Sequence, residues 1–299
     1  MFLSVDIGGS AIKLAVMDAN GTIVDRQSVP SPKTNIEAFF QAITPYISLQ
    51  LEHYPIKGIA VSSCGAVDCD SGVIFGSSAL PYLHGPNIKQ GFVERFGLPC
   101  EIENDANCAA LGELWLGEAA EANDCCLVVI GSGIGGAVVI NRAVTHGYQL
   151  HCGEFGYMIA GYDNGFPLTF SDVASTRGLI ESAAKAINQP AGSLTGLTVF
   201  EMADQGSEKV SAVIDKWYQH LATGLFNIQY CLDPELILLG GAISTRPDLI
   251  DHLNQHIDAI LHQQPVCKIR PRLKICSAGN DANLIGALYH FLSRCPEAA

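Results

Sequence analysis

The chain has 299 residues, and its 17 Lys and Arg against 30 Asp and Glu give it a formal net charge of −13. This charge argues against nucleic acid as a partner, because nucleic-acid affinity depends on Lys and Arg that neutralise phosphates. Although 48% of the residues are hydrophobic, we find neither an apolar run of the ~18 residues that would span a bilayer nor a secretory leader, so we expect no membrane association and a soluble, cytoplasmic protein with reduced cysteines.

The first thirty residues are typical of a β-meander that contains a glycine turn. Phe2–Ile7 predicts a strand, Gly8-Gly9-Ser10 a turn, and the alternation from 12 to 16 a second strand. Asn20-Gly21 is a hairpin turn signal that leads into a third strand at 22–28.

Strands and helices then follow one another, which is typical of the α/β class. Further strands are predicted at 57–63, 99–103, 124–130, 137–141 and 236–239, and helices at 35–54, 105–117, 210–228, 247–262 and 282–293. Thr198 and Glu201 form a T-x-x-E capping box that predicts a further helix start. A strand, a glycine-rich turn and a second strand occur twice, near residue 6 and near residue 130.

The segment from Asp6 to Lys13 has the residue types of a phosphate-binding turn. Gly8 and Gly9 let the backbone N–H groups approach a phosphate closely, and Ser10 and Lys13 add donors. Asp6 can hold Mg²⁺ directly or through water. A plain hairpin turn is the alternative interpretation.

A second glycine-rich segment, Gly131–Gly136, follows the predicted strand at 124–130. A strand rather than a helix is predicted after it, which excludes a Rossmann dinucleotide loop, and the Lys-Ser/Thr of a Walker A loop is missing. A β-hairpin phosphate loop remains.

Carboxylates and amides meet in Glu103-Asn104-Asp105, where a predicted strand runs into a predicted helix. Asp105 there is either a helix N-cap or a general base that accepts a hydroxyl proton, with Asn104 as a neighbouring hydroxyl ligand. Glu154, between two glycines, is either an exposed loop acid or a carboxylate that binds a polyol.

Together these motifs resemble the ROK family of repressors and sugar kinases over nearly the whole chain. Four motifs occur in the family's order: Asp6-Ile-Gly-Gly, Glu103-Asn-Asp-Ala-Asn, Gly131-Ser-Gly-Ile-Gly-Gly and Gly153-Glu-Phe-Gly. The resemblance implies the actin-like ATPase (ribonuclease H-like) fold, with two α/β domains and a cleft between them. It implies an N-terminal domain over 1–117, completed by 282–299, a larger C-terminal domain over 118–281, and a homodimer.

The resemblance also implies roles for particular residues. Asp105 matches the catalytic base. The matching sugar ligands are Asn104, Glu154, Gly65, Asn87 and Tyr157. The matching ATP and phosphate ligands are Asp6, Gly8, Gly9, Ser10, Lys13, Ser132, Gly133, Gly135, Gly240 and Gly241. ATP and Mg²⁺ are the implied cofactors, and a sugar and a nucleotide are the implied small-molecule partners.

The chain departs from the family's commonest pattern around Tyr157. Most family kinases bind a structural zinc there with a histidine and a cysteine-rich run, but Tyr157 stands at the histidine position and the next cysteine after Cys152 is Cys231. We therefore predict no zinc. Cys69 is expected to be a buried thiol and His146 a solvated loop residue.

The zinc-free Gly-Glu-Phe-Gly-Tyr-Met158 resembles the branch that contains bacterial β-glucoside kinases. The resemblance implies transfer of the γ-phosphate of ATP to the 6-hydroxyl of a hexose or of a β-glucoside such as cellobiose. The alternatives are a kinase for free glucose, fructose or N-acetylmannosamine, and a non-catalytic sugar-sensing regulator. Since five residues precede Asp6, no DNA-binding domain is expected before it.

Overall fold

The computed structural model describes residues 1–298. Its strands are β1 (Phe2–Ile7), β2 (Ala11–Met17), β3 (Ile23–Pro30), β4 (Ile59–Ser63), β5 (Ala66–Asp68), β6 (Val73–Phe75), β7 (Cys100–Asn104), β8 (Cys125–Ile130), β9 (Ile134–Ile140), β10 (Ala143–Val144), β11 (Ile159–Asp163), β12 (Phe166–Thr169), β13 (Leu236–Gly240) and β14 (Leu273–Ile275). Its helices are α1 (Ile36–His53), α2 (Ile88–Phe96), α3 (Asp105–Leu116), α4 (Phe170–Ala174), α5 (Thr176–Ile187), α6 (Gly196–Asp204), α7 (Glu208–Leu232), α8 (Leu249–Gln263) and α9 (Ala282–Arg294). Among these residues, no helix is both long and apolar enough to cross a membrane.

The described chain divides into two compact units. The first comprises Met1–Glu121, Val144–Cys152 and the described residues from Ser277 onward, and the second comprises Ala122–Ala143 and Gly153–Cys276. The division predicted from the sequence, 1–117 with 282–299 and 118–281, differs mainly at Val144–Cys152, because this segment has its contacts in the first unit.

Each unit is built on a five-stranded mixed sheet of the same topology. The spatial orders are β3-β2-β1-β4-β7 in the first unit and β10-β9-β8-β13-β14 in the second. Both sheets contain an antiparallel hairpin, β1 with β2 in the first and β8 with β9 in the second. Two parallel strands extend each hairpin, β4 and then β7 on the far side of β1, and β13 and then β14 on the far side of β8. This arrangement is the actin-like ATPase fold, and it accounts for the recurrence of strand, glycine turn and strand.

The period of two along β1 assigns its side chains to two covered faces. Leu3, Val5 and Ile7 pack in the cluster that contains the aromatic rings of α1 and α2. Phe2 packs in the cluster of α3 and α9, and the Ser4 hydroxyl donates to the carbonyl of Leu284 in α9 at 2.7 Å. Asp6 therefore faces α9.

The start of α6 differs from the sequence prediction. Thr195, rather than Thr198, is the N-cap, and its hydroxyl and that of Thr198 form the reciprocal capping box. Glu201 lies within the helix instead of closing the box. The sequence pattern thus predicts the capping motif one turn too late, because the Thr198 hydroxyl accepts from the Thr195 N–H in place of the usual Glu or Gln at that position.

Candidate active site

Three polar residues lie at the carboxyl edge of the first unit's sheet. Asp6 in β1 is opposite Ser62 in β4, and Ser62 is opposite Glu103 in β7. Asn104 and Asp105 follow directly, as the N-cap and the first residue of α3. Because ligands of open α/β sheets bind outside the carboxyl ends of the strands, this edge is the expected place for substrate.

The Asp6 carboxylate is fixed by three neighbours. Its Oδ1 accepts hydrogen bonds from the Ser62 hydroxyl and the Asn283 amide, both at 3.0 Å. Its Oδ2 lies 3.3 Å from the ammonium of Lys13, and only 6% of the Asp6 side chain is exposed. Lys13 lies opposite Asp6 on the second strand, which was predicted after the glycine turn, whereas Asn283 lies 277 residues from Asp6 in the sequence, where no local pattern links the two.

The turn from Gly8 to Ser10 is held by the segment that follows β3. The Gly8 N–H closes the turn by donating to the Ala11 carbonyl at 3.1 Å. The Ser31 hydroxyl donates to the Gly8 carbonyl at 2.6 Å, and Lys33 contacts the Gly9 carbonyl. The carbonyls of Gly8 and Gly9 are thus both bound by side chains of the segment after β3. Lys33 also adds a cation to the turn that sequence reasoning missed.

Asn104 connects the start of α3 to the loop after β4. Its Oδ1 accepts from the Asn107 N–H at 3.1 Å and its Nδ2 donates to the Gly65 carbonyl at 3.0 Å. Gly65 has φ +101°, which disfavours any other residue, and a Cβ there would lie 2.7 Å from a methyl of Ile74. The structure therefore brings together Gly65 and Asn104, which the resemblance selected as sugar ligands.

Asp105 is half-buried at the first position of α3, and its Oδ1 accepts from the Ala106 N–H at 2.9 Å. The positive end of a helix favours an ionised carboxylate at this position. Since Asn104 rather than Asp105 caps the helix, the capping interpretation of Asp105 is wrong.

Asn87 has a defined structural role in the same unit. It is the exposed N-cap of α2, and its Oδ1 accepts from the Gln90 N–H at 2.8 Å. Its predicted contact with a sugar stays a prediction.

Glu103 is the centre of a cluster that sequence reasoning missed. Its side chain is fully buried, and its Oε2 lies 2.6 Å from Nε2 of His146 and accepts from the Cys69 thiol at 3.3 Å. The expectation that His146 is a solvated loop residue is wrong, whereas Cys69 is buried as expected. No local pattern could find these contacts, because the partners are 34 and 43 residues from Glu103.

In the second unit, the loop between β8 and β9 is the second predicted phosphate turn. The Gly131 N–H donates to the Gly133 carbonyl, and the Gly131 carbonyl accepts from the N–H of Thr176 at the start of α5, both at 2.9 Å. Ser132 is exposed at the tip, and a Cβ on Gly135 would meet no atom within 4 Å. The predicted strand after this loop is confirmed.

The segment from Gly153 to Tyr157 packs on β9. A Cβ on Gly153 would lie 2.8 Å from Cα of Ala137, and one on Gly156 would lie 2.1 Å from the Ile134 carbonyl oxygen. These close approaches leave Glu154 exposed and Tyr157 74% exposed. Glu154 and Tyr157, both predicted sugar ligands, therefore lie on the surface of this unit beside β9.

The turn after β13 completes this edge of the second unit. Gly241 has φ +94°, and a Cβ there would lie 2.3 Å from the carbonyl oxygen of Ile130, the last residue of β8. The N–H and hydroxyl of Ser244 both donate to the Gly241 carbonyl, at 3.1 and 2.7 Å. Gly240 and Gly241 thus lie beside the strand that enters the second loop.

Comparison with known proteins gives matches over nearly the whole chain. Residues 2–294 match the sequence model of the ROK family. A β-glucoside kinase of Klebsiella pneumoniae is 34% identical over 98% of this chain and 97% of that protein. The structure of a ROK family protein from Streptococcus pneumoniae in complex with sucrose superposes with a TM-score of 0.90, at 33% identity over 99% of this chain and 100% of that one. A putative N-acetylmannosamine kinase from Listeria monocytogenes superposes with a TM-score of 0.87, at 31% identity over 98% and 99% of the two chains.

Proposed function

Because the chain belongs to the ROK family, we propose that it is an ATP-dependent sugar kinase that phosphorylates the 6-hydroxyl of a β-glucoside such as cellobiose. The observation that carries this proposal is the full-length similarity to a β-glucoside kinase, together with Asp105 at a helix start beside Asn104. The pneumococcal relative was crystallised with sucrose, a disaccharide, which supports an acceptor larger than a monosaccharide.

Asp105 would accept the proton of the attacking hydroxyl. Phosphoryl transfer requires mainly that the nucleophile is positioned and that phosphate charge is neutralised, so one carboxylate is sufficient as base. The Asn104 side chain uses one N–H for the Gly65 carbonyl and one lone pair for the helix cap. An amide has two N–H donors and two lone pairs, so one of each is left for a sugar hydroxyl. Gly65, Asn87, Glu154 and Tyr157 are the further sugar ligands that we propose.

The nucleotide phosphates are proposed to bind at two glycine turns. Gly8, Gly9, Ser10 and Lys13 form the first, Ser132, Gly133 and Gly135 form the second, and Gly240 and Gly241 lie on the adenosine side. Mg²⁺ in proteins is held by one or two carboxylates together with waters and phosphate oxygens. Asp6 fits this donor set, since its carboxylate is fixed by Ser62 and Asn283. The bound ion would neutralise phosphate charge.

The structure around Tyr157 does not fit the family's zinc. A phenol is not among the usual ligands, and this one is 74% exposed. We propose that no zinc is bound at this position. The homodimer stays a prediction from the resemblance, and the cytoplasmic location stays a prediction from the sequence composition.

The Asp105→Asn variant tests the assignment. We expect turnover with ATP–Mg²⁺ and cellobiose to fall by about 10²- to 10⁴-fold, the usual contribution of a general base, while the sugar still binds. Asp251→Asn is the matched control, because Asp251 is an exposed acid in the first turn of α8. Near-normal turnover of Asp105→Asn would exclude Asp105 as the base.

A substrate panel tests the acceptor. We expect kcat/KM to be highest for cellobiose or aryl β-glucosides. N-acetylmannosamine, the sugar in the name of the Listeria relative, and glucose are the competing acceptors. A higher kcat/KM for either would support the sugar kinase and reject a β-glucoside as its acceptor. Failure of every sugar would favour a non-catalytic sugar-binding protein.

A further inference from the structure

One oxygen of the buried Glu103 carboxylate is bound by groups at the start of α3. Its Oε1 accepts from the Asn104 N–H at 2.6 Å and from the Asn107 amide at 3.0 Å. These two residues flank Asp105, one immediately before it and one in the first turn after it. A single carboxylate oxygen therefore ties the end of β7 to the first turn of the helix that carries Asp105.

The other oxygen of Glu103 is held by His146. A buried carboxylate is costly unless it is paired and hydrogen-bonded, and His146 supplies the pairing at 2.6 Å. Burial is the largest single influence and raises the pKa of Glu103, but the hydrogen bond from His146, the charges of His290 and His146 and the hydrogen bond from Asn107 together hold this pKa below its usual 4.5. The same hydrogen bond raises the pKa of His146 above its usual 6.5. Each group thus stabilises the charged form of the other.

Further charged groups surround this pair. Arg294 lowers and Asp70 raises the pKa of His146, and neither outweighs Glu103. His290 lies 3.8 Å from Glu103 Oε2 with 9% of its side chain exposed, and burial lowers its pKa. Of the two histidines, His146 is therefore the one whose protonated form is favoured.

Cys69, Glu103 and His146 are also a donor set that could bind a metal ion, since their ligand atoms lie within 4.8 Å of one another. Two ligands of a tetrahedral zinc are about 3.3 Å apart, given zinc–nitrogen and zinc–oxygen bonds of about 2.0–2.1 Å. His146 Nε2 and Glu103 Oε2 are 2.6 Å apart, which is the separation of a direct charge-assisted hydrogen bond. The geometry favours the hydrogen-bonded pair.

We propose that Glu103 and His146 are positioning residues for phosphoryl transfer, which hold Asn104 and Asp105 in the geometry that the sugar hydroxyl requires. The proposal rests on the proposed function, because it assumes that Asp105 is the base. His146 contributes through Glu103 and not through substrate. Loss of its hydrogen bond would leave Oε2 of Glu103 without its main partner and loosen the carboxylate that aligns both flanking residues.

The test compares His146→Ala with His146→Gln. Alanine removes the donor, and we expect kcat to fall about 10- to 100-fold, because a 1 Å misplacement of a reacting group can cost about 100-fold. Glutamine keeps a neutral N–H donor, and we expect it to retain most of the activity. The KM for ATP should not change in either variant. His151→Ala is the matched control, since His151 is an exposed histidine of the same segment.

Chemical rescue separates positioning from a general loss of structure. The His146 side chain is 34% exposed, so added imidazole can enter the space that alanine leaves. We expect imidazole to restore kcat of His146→Ala and to leave Asp105→Asn inactive. Wild-type kcat in His146→Ala, or equal losses in His146→Ala and His151→Ala, would overturn the proposal.

Metal analysis of the purified protein closes the remaining alternative. We expect zinc well below one equivalent per chain in the wild type. One equivalent of zinc that disappears in Cys69→Ser would show that the cluster is a metal site, and it would overturn the proposal. An active Asp105→Asn variant would instead reject the proposed function itself, whatever the His146 variants do.

Discussion

The crossing of α3 and α9 offers a quantitative test of how the helix that carries the proposed base is held. The two helices approach so closely that a Cβ on Gly286 would lie 1.6 Å from the carbonyl oxygen of Cys108. One on Gly112 would lie 2.6 Å from the carbonyl oxygen of Ala282. Both obstacles are backbone atoms, which cannot rotate away as a side chain can. Alanine at either position must therefore push the helices apart.

The expected cost follows from these distances. Ordinary contact begins at 3.4 Å, so Gly286→Ala requires a displacement of about 1.8 Å and Gly112→Ala one of about 0.8 Å. Overpacking of this kind costs about 1–3 kcal/mol and occasionally more, while alanine regains about 1 kcal/mol of helix propensity. We expect the free energy of unfolding to fall by about 2 kcal/mol or more for Gly286→Ala and by about 1 kcal/mol for Gly112→Ala.

Urea unfolding midpoints at constant m value provide the measurement. Gly192→Ala is the control, because a Cβ there meets no atom within 4 Å. Activity should fall with stability in the other two, since α3 begins at Asp105 and a shift of 1 Å can cost about 100-fold in rate. If Gly286→Ala unfolds at the same urea concentration as Gly192→Ala, the packing argument is refuted. Should Gly286→Ala yield no soluble protein, the comparison of Gly112→Ala with the control decides.

Two further predictions concern the start of α3. Asn104→Ala removes the helix cap and the hydrogen bond to Gly65, so we expect the free energy of unfolding to fall by about 1–2 kcal/mol. The KM for sugar should be higher in the variant than in the wild type, and an unchanged sugar KM would reject Asn104 as a ligand. The stability difference between wild type and His146→Gln should depend on pH. The contribution of His146 to stability is complete below pH 6.5 and is lost as the pH rises through its raised pKa. The contribution of Glu103 to stability is complete above pH 4.5 and is lost as the pH falls through its lowered pKa. The difference should therefore be largest between these two values, and a difference that is constant from pH 5 to pH 9 would contradict the ion pair.

The sheets could be predicted from the sequence because their strands carry a local signal. The alternation in β1 and β2 and the glycine turns between strands are patterns of a few residues. The strand, glycine turn and strand that recur near residues 6 and 130 are corresponding hairpins of two sheets that share one topology. Asn104 and Gly65, which the resemblance implied as sugar ligands, also lie in contact.

The cluster around Glu103 could not be predicted in the same way. His146 has glycine and polar neighbours in the sequence, which is the composition of a solvated loop. Its partner is set by tertiary structure, since the segment Val144–Cys152 packs in the first unit although the strands on either side of it in sequence belong largely to the second. Contacts over 43 residues leave no periodicity that a single sequence can display.

The structure also places three acids of the sequence motifs in different environments. Asp6 is held by Lys13, Ser62 and Asn283, which suits a fixed anion near a metal-bound phosphate. Glu103 is fully buried beside His146, so its carboxylate cannot reach a substrate. Asp105 is half-buried at the end of a helix that stabilises negative charge, and of the two carboxylates in Glu103-Asn104-Asp105 it alone has an exposed fraction with which to meet a hydroxyl. Burial therefore supports Asp105 as the proposed base and Glu103 as the residue proposed to align it.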